Sequence, residues 1–528
     1  MSRLMIFLIS SICIAAFAGQ GLHCAVSAAA SLPQPVRVEA GAISGIPTTD
    51  AAVTSFKGIP YAAPPVGELR WKPPLAPAKW QGVLHADRFA ASCMQNIAEE
   101  RKPWTYEFMA HGETSEDCLF LNVWTPAKSP NERLPVLVWL HGGGYTEGSA
   151  SVPAYDGENL ARKGIVVVTI NYRLGFFGYL AYPELSRESP YGASGNYGLL
   201  DQIAALQWVA KNIAAFGGDP TRVTVAGQSA GAGSVHFVTI SPLAKGLFQR
   251  AIAESGSAAW KSPEVARSPM AMKKLADAEQ DGVRFAEERG AHSLKELRAM
   301  TWKQLNILNP QRMVPVQDGW VLPQGFAETF AAGKQNDVPF LTGCNADEGG
   351  AEPHPTITLE QFRKQAHDRF AGLADDLLGL YPAATDAQAA EAQNAAARDY
   401  ERASMYFWAQ DRQKTSRSKT FTYYWDHPLP GPDKERYGAF HTSEVPYVFD
   451  SLKMSDRPWG ADDRAIANRM TSYWANFAAN GDPNGKGLHP WPAFNADRAI
   501  TMELGDRPGP IPVAEKPELD FLRKHFGR

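Results

Sequence analysis

The sequence predicts an α/β protein with one large, mostly parallel central sheet that is flanked by helices. Two observations from residue 133 onward lead to this prediction. Apolar runs of strand length alternate with segments of helical periodicity, and several of the runs end on glycine-rich loops. A third observation concerns the N-terminal part, where short alternating patterns predict antiparallel strands that precede the parallel core.

The bulk composition restricts the class of protein. The chain has 528 residues, of which 44% are hydrophobic and 11% aromatic, so it can bury a large core. Disordered and fibrous classes are therefore excluded. The 52 basic and 56 acidic residues nearly balance, and no run of Lys and Arg is long enough to follow a phosphate backbone. Nucleic acid is not expected as a partner.

Residues 1–30 have the layout of a signal peptide. Arg3 precedes an apolar stretch over 4–19 and a small-residue segment over 25–30, which predicts cleavage before Ser31. The mature protein is then secreted or periplasmic, without stable membrane insertion. A retained membrane anchor is the alternative, but the apolar run is short for crossing a bilayer. Residues 31–528 contain no low-complexity linker and are interpreted as a single domain.

The first elements of the mature chain are extended. Residues 36–45 alternate around a glycine and predict a hairpin, whereas the proline-rich stretch 63–77 predicts a surface loop. Residues 134–140 and 164–170 are apolar throughout and predict strands buried on both faces.

The pattern then continues with a helix and further strands. Residues 201–216 carry apolar side chains at helical spacing, and residues 222–226 predict the next strand. Strand, helix and strand in succession imply parallel pairing. Shorter apolar strands are predicted at 338–343 and 420–425.

The strongest chemical motif is Gly-Gln-Ser-Ala-Gly at 227–231, directly after the strand at 222–226. In a strand–turn–helix context, Gly-x-Ser-x-Gly forms a sharp turn that exposes the serine hydroxyl above the sheet. Ser229 is therefore the candidate nucleophile. Without that context, a small-residue turn with a capping serine would be the better interpretation.

A second motif follows the strand at 134–140, where His141 precedes three consecutive glycines. Such glycines let backbone N–H groups converge on one point, so Gly143 and Gly144 are predicted to form an oxyanion hole together with the N–H of Ala230. His141 is interpreted as structural. The alternative for the triplet is a flexible loop.

These motifs and five others make the chain resemble the type-B carboxylesterases, a family that includes cholinesterases and bacterial para-nitrobenzyl esterases. The further matches lie at 56–67, 115–122, 171–175, 195–202 and 217–220, and thus extend over much of the chain. The resemblance implies the α/β-hydrolase fold and a serine esterase.

The resemblance also indicates the other two members of a catalytic triad. Glu348 lies in the family's Asp-Glu-Gly context and His441 in its Gly-Ala-x-His context, in the chain order Ser, acid, His that this fold uses. From the residues alone, either Asp347 or Glu348 could face the imidazole. The resemblance favours Glu348 and leaves Asp347 to cap backbone N–H groups. Many relatives have Gly after the histidine, whereas this chain has Thr442.

The cysteines predict one disulfide. Cys13 and Cys24 would leave with the signal peptide, and export permits oxidation of the three that remain. Cys93 and Cys118 are closest in sequence and form the expected pair, which leaves Cys344 free. The resemblance agrees, because this segment matches the family's disulfide loop.

Two further sets of residues each have two interpretations. Trp104, Tyr106 and Phe108 lie between the paired cysteines and are candidates to line a substrate pocket, although aromatic residues in a long loop serve packing as often. By resemblance, Ser255 would hydrogen-bond Glu348, and capping of its own loop is the alternative.

The sequence thus predicts a carboxylic ester hydrolase that acts on small-molecule esters through an acyl-enzyme on Ser229. No metal or other cofactor is expected, because no His/Cys cluster has ligand spacing. A lipase or an amide or carbamate hydrolase on the same triad is the alternative. A non-catalytic binding protein of this fold is disfavoured, since Ser229, Glu348 and His441 are all intact.

Overall fold

The computed structural model of the protein describes residues 31–48, 50–98, 100–259, 263–306 and 313–528. The predicted signal peptide, residues 1–30, lies outside these ranges, as do Cys13 and Cys24. Within them, no helix combines the length and the apolar character needed to cross a membrane. The prediction of a single domain over 31–528 stays a prediction.

The strands were numbered in chain order. They are β1 (Val36–Val38), β2 (Gly41–Ser44), β3 (Ile46–Pro47), β4 (Thr54–Pro60), β5 (Val83–His85), β6 (Ser92–Cys93), β7 (Thr114–Ser115), β8 (Phe120–Thr125), β9 (Leu134–Leu140), β10 (Val166–Ile170), β11 (Gly218–Gln228), β12 (Arg250–Glu254), β13 (Lys273–Lys274), β14 (Val316–Gln317), β15 (Phe340–Asn345), β16 (Thr420–Trp425), β17 (Ile500–Glu503) and β18 (Gly509–Pro512).

The α-helices were numbered in the same way. They are α1 (Glu158–Ala161), α2 (Gly175–Tyr179), α3 (Pro183–Glu188), α4 (Tyr197–Asn212), α5 (Ala230–Ile240), α6 (Leu275–Glu287), α7 (Leu294–Ala299), α8 (Trp302–Leu305), α9 (Phe326–Ala331), α10 (Leu359–Phe370), α11 (Ala374–Leu380), α12 (Asp386–Gln413), α13 (Lys434–Tyr437), α14 (Val445–Phe449), α15 (Ala461–Asn480) and α16 (Lys516–His525).

One sheet of 11 strands organises the molecule, in the order β18-β17-β16-β15-β12-β11-β9-β10-β8-β4-β3. Its centre, from β17 to β10, is parallel throughout, and antiparallel strands occupy both edges. This architecture confirms the predicted fold class. The predicted hairpin at 36–45 also forms, as β1 and β2, but it belongs to a separate sheet with β5.

Side chains of the parallel strands alternate between two hydrophobic cores. In β9, Val136, Val138 and Leu140 join a core that includes residues of α4 and α5, such as Leu206 and Val235. Leu137 and Trp139 face the opposite side, where the core includes Trp474 of α15. Because both faces are covered, the strand sequence is apolar throughout rather than alternating. The helices therefore form a layer on each face of the sheet.

The proline-rich stretch 63–77 is largely a surface loop, as predicted, but part of it is anchored in the interior. Arg70 and Trp71 within it are buried, with 7% and 2% of their surface exposed. The Arg70 guanidinium pairs with Glu116 at 2.5 Å and donates to the carbonyl of Met300, while the Trp71 indole donates to the carbonyl of Phe176. These partners are distant in sequence, so local composition did not reveal the anchor.

Candidate active site

Ser229 lies at a strained turn between β11 and α5. Its backbone has φ 57° and ψ −121°, a left-handed conformation that is uncommon outside glycine. The turn requires a glycine two residues later, because a Cβ on Gly231 would lie 1.9 Å from the carbonyl oxygen of Leu140. The Ser229 N–H donates to the carbonyl of Glu254 at 2.9 Å, which ties the turn to the neighbouring strand β12. Ser229 therefore projects from the carboxyl end of the sheet.

A cavity of about 240 Å³ opens at this end of the sheet. It is lined by Ser229, by His441, and by the glycine loop 142–144 that follows β9. Trp104, Phe108 and Tyr155 supply apolar walls, and Arg101 and Glu147 are its charged lining residues. Among the residues that the structure describes, no cluster of His, Cys, Asp and Glu side chains is suited to hold a metal ion.

The glycine loop is shaped by a close backbone contact. Gly143 has φ 106°, and a Cβ there would lie 2.0 Å from the carbonyl oxygen of Glu147. Its own carbonyl accepts from the N–H groups of Thr146 and Glu147, each at 3.0 Å. Gly143 and Gly144 both line the cavity. Ala230 begins α5, and the first N–H groups of a helix have no partner within it. The three residues expected to form an oxyanion hole thus lie around Ser229.

His141 is fully enclosed beside this loop. Its Nδ1 donates to the Gly142 carbonyl at 2.8 Å, and its ring stacks on Tyr172 with 4.3 Å between centroids. The Tyr172 hydroxyl in turn donates to the carbonyl of His141. Burial lowers the pKa of His141 to about 4, so the ring is neutral. These contacts fix the loop, in line with the structural role expected for His141.

His441 and Glu348 meet across two loops that follow β16 and β15. His441 Nδ1 donates to Glu348 Oε2, and the other carboxylate oxygen accepts from the backbone N–H of Asn345 at 2.8 Å. Burial opposes the charge of both groups, but their mutual attraction outweighs it. The pKa of Glu348 is therefore lowered and that of His441 is raised. Nε2 of His441 is not used in this pair, and His441 lines the cavity.

Asp347 does not face His441. Its Oδ1 accepts from His354 at 2.8 Å and from Arg398 at 2.6 Å, while its Oδ2 accepts from the backbone N–H of Ala439 at 2.8 Å. Asp347 thereby holds the segment that leads into His441. The adjacent carboxylates point in different directions, as expected for neighbouring residues at the end of a strand.

Ser255 lies beside Glu348 in another left-handed backbone conformation, with φ 51°. Its hydroxyl is near enough to contribute, as the weakest of several interactions, to the lowered pKa of Glu348. Within the described part of the chain, however, its Oγ has no well-formed hydrogen bond. The Ser255 N–H donates to the carbonyl of Gly343, which anchors the turn after β12.

The disulfide joins Cys93 to Cys118, the pair expected from the sequence, with 4.9 Å between their Cα atoms. Cys344 is free and buried. Of the three aromatic residues in the loop, Trp104 and Phe108 line the cavity. Tyr106 does not; it is 62% exposed and stacks on His111. Tyr106 therefore lies outside the lining of the cavity that contains Ser229, and contact between any of the three aromatic residues and substrate stays a prediction.

Sequence reasoning missed two polar residues of the site. The side-chain amide of Gln228 lies 3.3 Å from His441 Nε2 and can donate to it. Glu444 is fully buried, and its Oε2 accepts from Asn345 Nδ2 at 2.6 Å. Burial and the nearby charge of Glu348 raise the pKa of Glu444 to about 7. The sequence offered a signal for each residue, since Gln228 directly precedes the candidate nucleophile and Glu444 follows His441 by three positions.

A comparison with known protein families shows to which family the chain belongs. The model of the carboxylesterase family matches residues 33–521. The chain belongs to the carboxylesterase family. Three relatives illustrate the range of the match. The fumonisin B1 esterase of Sphingopyxis macrogoltabida is 38% identical over 92% of this chain and 89% of that protein.

The para-nitrobenzyl esterase of Bacillus subtilis is 33% identical over 93% of this chain and 98% of that protein. The cholinesterase of Mus musculus is 33% identical over 93% and 86%, respectively. These matches confirm the predicted membership. As a carboxylesterase, the protein is a carboxylic ester hydrolase whose substrate is a small-molecule ester.

Proposed function

We propose that this carboxylesterase cleaves its ester through an acyl-enzyme on Ser229, with His441 as general base and Glu348 as the acid that orients it. One observation carries the proposal. Ser229, at a strained turn, lines the same cavity as His441, and Nδ1 of His441 hydrogen-bonds Glu348. This is the nucleophile–base–orienter arrangement that activates a serine hydroxyl.

In the first half-reaction, His441 Nε2 takes the hydroxyl proton as Ser229 Oγ attacks the ester carbonyl carbon. The tetrahedral intermediate collapses when the C–O bond to the alcohol breaks, and His441 returns its proton to the departing oxygen. The second half-reaction repeats these steps with water, which releases the carboxylic acid and restores Ser229. Glu348 stays ionised and stabilises the imidazolium that forms in each half.

The developing oxyanion would be bound by the backbone N–H groups of Gly143, Gly144 and Ala230. Support comes from the position of the two glycines on the cavity wall and of Ala230 at the N-terminus of α5. Backbone donors held in place before the reaction need no reorganisation as charge develops, so they favour the transition state over the substrate.

The mature enzyme is further proposed to be secreted or periplasmic after cleavage of residues 1–30. The disulfide between Cys93 and Cys118 supports this, because such bonds persist in oxidising compartments. Expression of the full chain with an export-competent host should yield a product that begins near Ser31 and carries this disulfide. N-terminal sequencing and non-reducing peptide mapping would measure both, and a bridge that includes Cys344 would contradict the pairing.

The test of function is a substrate panel on the purified mature enzyme. It should include para-nitrobenzyl and aryl esters, fumonisin B1, a long-chain ester, a carbamate and an anilide, with Ser229→Ala measured beside the wild type. Short esters should be hydrolysed. Ser229→Ala should lower kcat by several orders of magnitude, and the small activity that remains should come from binding of the oxyanion. A preference for the anilide would favour the amidase alternative, and full activity of Ser229→Ala would refute the mechanism.

A further inference from the structure

Thr442, directly after His441, has an unusual backbone. Its φ is 89°, and it is buried, with 7% of its surface exposed. A β-branched residue rarely adopts a left-handed backbone, and such outliers persist only where surrounding contacts hold them. Thr442 also lines the same cavity as Ser229 and His441. The question is therefore which contact holds this strained residue beside the proposed catalytic histidine.

The indole of Trp104 makes that contact. Its Nε1–H is shared between two acceptors, the backbone carbonyl of His441 at 3.1 Å and the hydroxyl of Thr442 at 3.3 Å. One donor thus fixes both the main chain of His441 and the side chain of the residue after it. Trp104 lies 337 positions away in sequence, on the loop closed by the disulfide.

Trp104 is in turn held by Arg101, another residue that lines the cavity. It exchanges backbone hydrogen bonds with Arg101, and the Arg101 guanidinium lies 5.1 Å from the centre of its ring. Arg101 pairs with Glu147 at 2.5 Å, and the Glu147 N–H donates to the carbonyl of Gly143. The contacts therefore run from His441, through Trp104 and Arg101, to the glycine loop.

We infer that Trp104 and Thr442 are positioning residues for ester hydrolysis, and that the indole–hydroxyl bond between them holds His441 in register with Ser229 and Glu348. This inference rests on the proposed function of those three residues. Neither positioning residue exchanges a proton with substrate. Their effect is on the time that the imidazole spends in the geometry that lets it take the serine proton.

Four substitutions separate this role from bulk packing. Trp104→Phe keeps an aromatic wall and removes the donor, and Thr442→Val keeps the shape and removes the acceptor. Thr442→Ser keeps the hydroxyl. Trp80→Phe is the matched control, because the Trp80 indole also donates to a carbonyl, that of Ala42, but lies outside the cavity lining.

Loss of a hydrogen bond of this kind should lower kcat about tenfold in Trp104→Phe, with a smaller change in KM. Thr442→Val should show a smaller decrease, Thr442→Ser should retain most activity, and Trp80→Phe should match the wild type. The two defects should be non-additive in the double variant, since each removes one side of the same bond.

The pH profile supplies a readout that a packing defect would not move. His441 is faced by the carboxyl groups of Glu348, Glu444 and Glu401. If His441 drifts from Glu348, the imidazolium loses its closest counter-charge, so the acid limb of kcat/KM should move to lower pH in Trp104→Phe. Thr442→Gly gives a second check, because glycine relieves the strain at positive φ. It should keep or raise the Tm and still lose activity.

The outcomes distinguish this inference from the proposed function. If the wild type is active and Ser229→Ala is not, but Trp104→Phe and Thr442→Val behave like Trp80→Phe with an unmoved acid limb, positioning by this bond is refuted and the triad stands. Additive defects in the double variant would also refute it. If Ser229→Ala remains active, the proposed function itself fails.

Discussion

Two carboxylate–histidine pairs lie next to each other after the end of β15, and of their two imidazoles only that of His441 lines the cavity that contains Ser229. Asp347 pairs with His354, and the next residue, Glu348, pairs with His441. The electrostatics have the same sign in both pairs, because each carboxyl has a lowered pKa and each imidazole a raised one. Ionisation alone therefore does not mark the active site.

The second ring nitrogen makes the difference. His354 Nδ1 contacts the backbone carbonyl of Glu435 at 3.3 Å, so both of its nitrogens are occupied by structural partners. Among the residues that the structure describes, the hydrogen-bonding neighbour of His441 Nε2 is the Gln228 amide, at the long distance of 3.3 Å, and His441 lines the cavity that contains Ser229. A histidine can act as a base only if one nitrogen is free to accept a proton. The neighbours of the second ring nitrogen, rather than the carboxylate–histidine pair itself, therefore distinguish His441 from His354.

The largest expected effect is a difference in kcat between variants of the two carboxylates, Glu348 and Asp347. Glu348→Gln removes the charge that stabilises the imidazolium and should lower kcat by up to about 10⁴-fold, as for the acid of a serine protease triad. Asp347→Asn should lower it by less than about tenfold, because Asp347 acts only on the segment before His441. Steady-state kinetics on an activated ester measures both. Equal losses in two folded variants would remove the distinction.

The free energy of unfolding should be affected in the reverse order, with Asp347→Asn losing more than Glu348→Gln. Asp347 is nearly buried and joins His354, Arg398 and the backbone of Ala439, so Asp347→Asn should cost about 1–3 kcal/mol of unfolding free energy. Glu348→Gln should cost less, because the carboxylate of Glu348 has one ionisable hydrogen-bond partner, His441, whereas that of Asp347 has two. Urea unfolding at neutral pH compares the variants. A greater loss for Glu348→Gln would mean that the structural and catalytic assignments are not separable in this way.

The acid limb of activity should sharpen the comparison further. Glu348 raises the pKa of His441, and the base must be neutral, so kcat/KM of the wild type should rise only above the ordinary imidazole value of 6.5. In Glu348→Gln the limb should move to lower pH, and in His354→Gln it should not move. Profiles of kcat/KM against pH measure this. A shift in His354→Gln would show that the two pairs are coupled.

The smallest expected effect concerns His354. Its hydrogen bond to Asp347 raises its pKa above 6.5, so the pair stabilises the fold below that pH and loses the contribution as pH rises through the folded value. Because His354 is partly exposed, the contribution should stay below about 1 kcal/mol. The difference in unfolding free energy between wild type and His354→Gln should narrow as the pH rises above 6.5. A constant gap would indicate that the ring acts through packing.

The sequence predicted the central sheet well because its strands are buried on both faces. The apolar runs 134–140 and 420–425 match β9 and β16 residue for residue. The helix predicted at 201–216 begins four residues earlier, at Tyr197, and Asn196 before it makes no side-chain cap that would mark the start. Burial on two faces is encoded locally, whereas an uncapped helix end is not.

The same distinction between local sequence patterns and contacts across the chain applies to the residues of the site. Ser229 and the glycine loop were found from local motifs, whereas Glu348 was preferred over Asp347 mainly by resemblance. Other contacts join parts of the chain that are not adjacent in sequence. Arg398 and His354 hydrogen-bond the carboxylate of Asp347, and Trp104 hydrogen-bonds the backbone of His441. No local pattern carries such pairings, so they became visible only in the folded structure.

The central claim is covalent catalysis at Ser229, and intact-mass analysis after treatment with an organophosphonate tests it most directly. The wild type should gain one adduct, which peptide mapping places on the segment containing residues 227–231. Ser229→Ala should gain none, and Glu348→Gln should react far more slowly than Asp347→Asn. Labelling that persists in Ser229→Ala, or an adduct located on another residue, would contradict the claim.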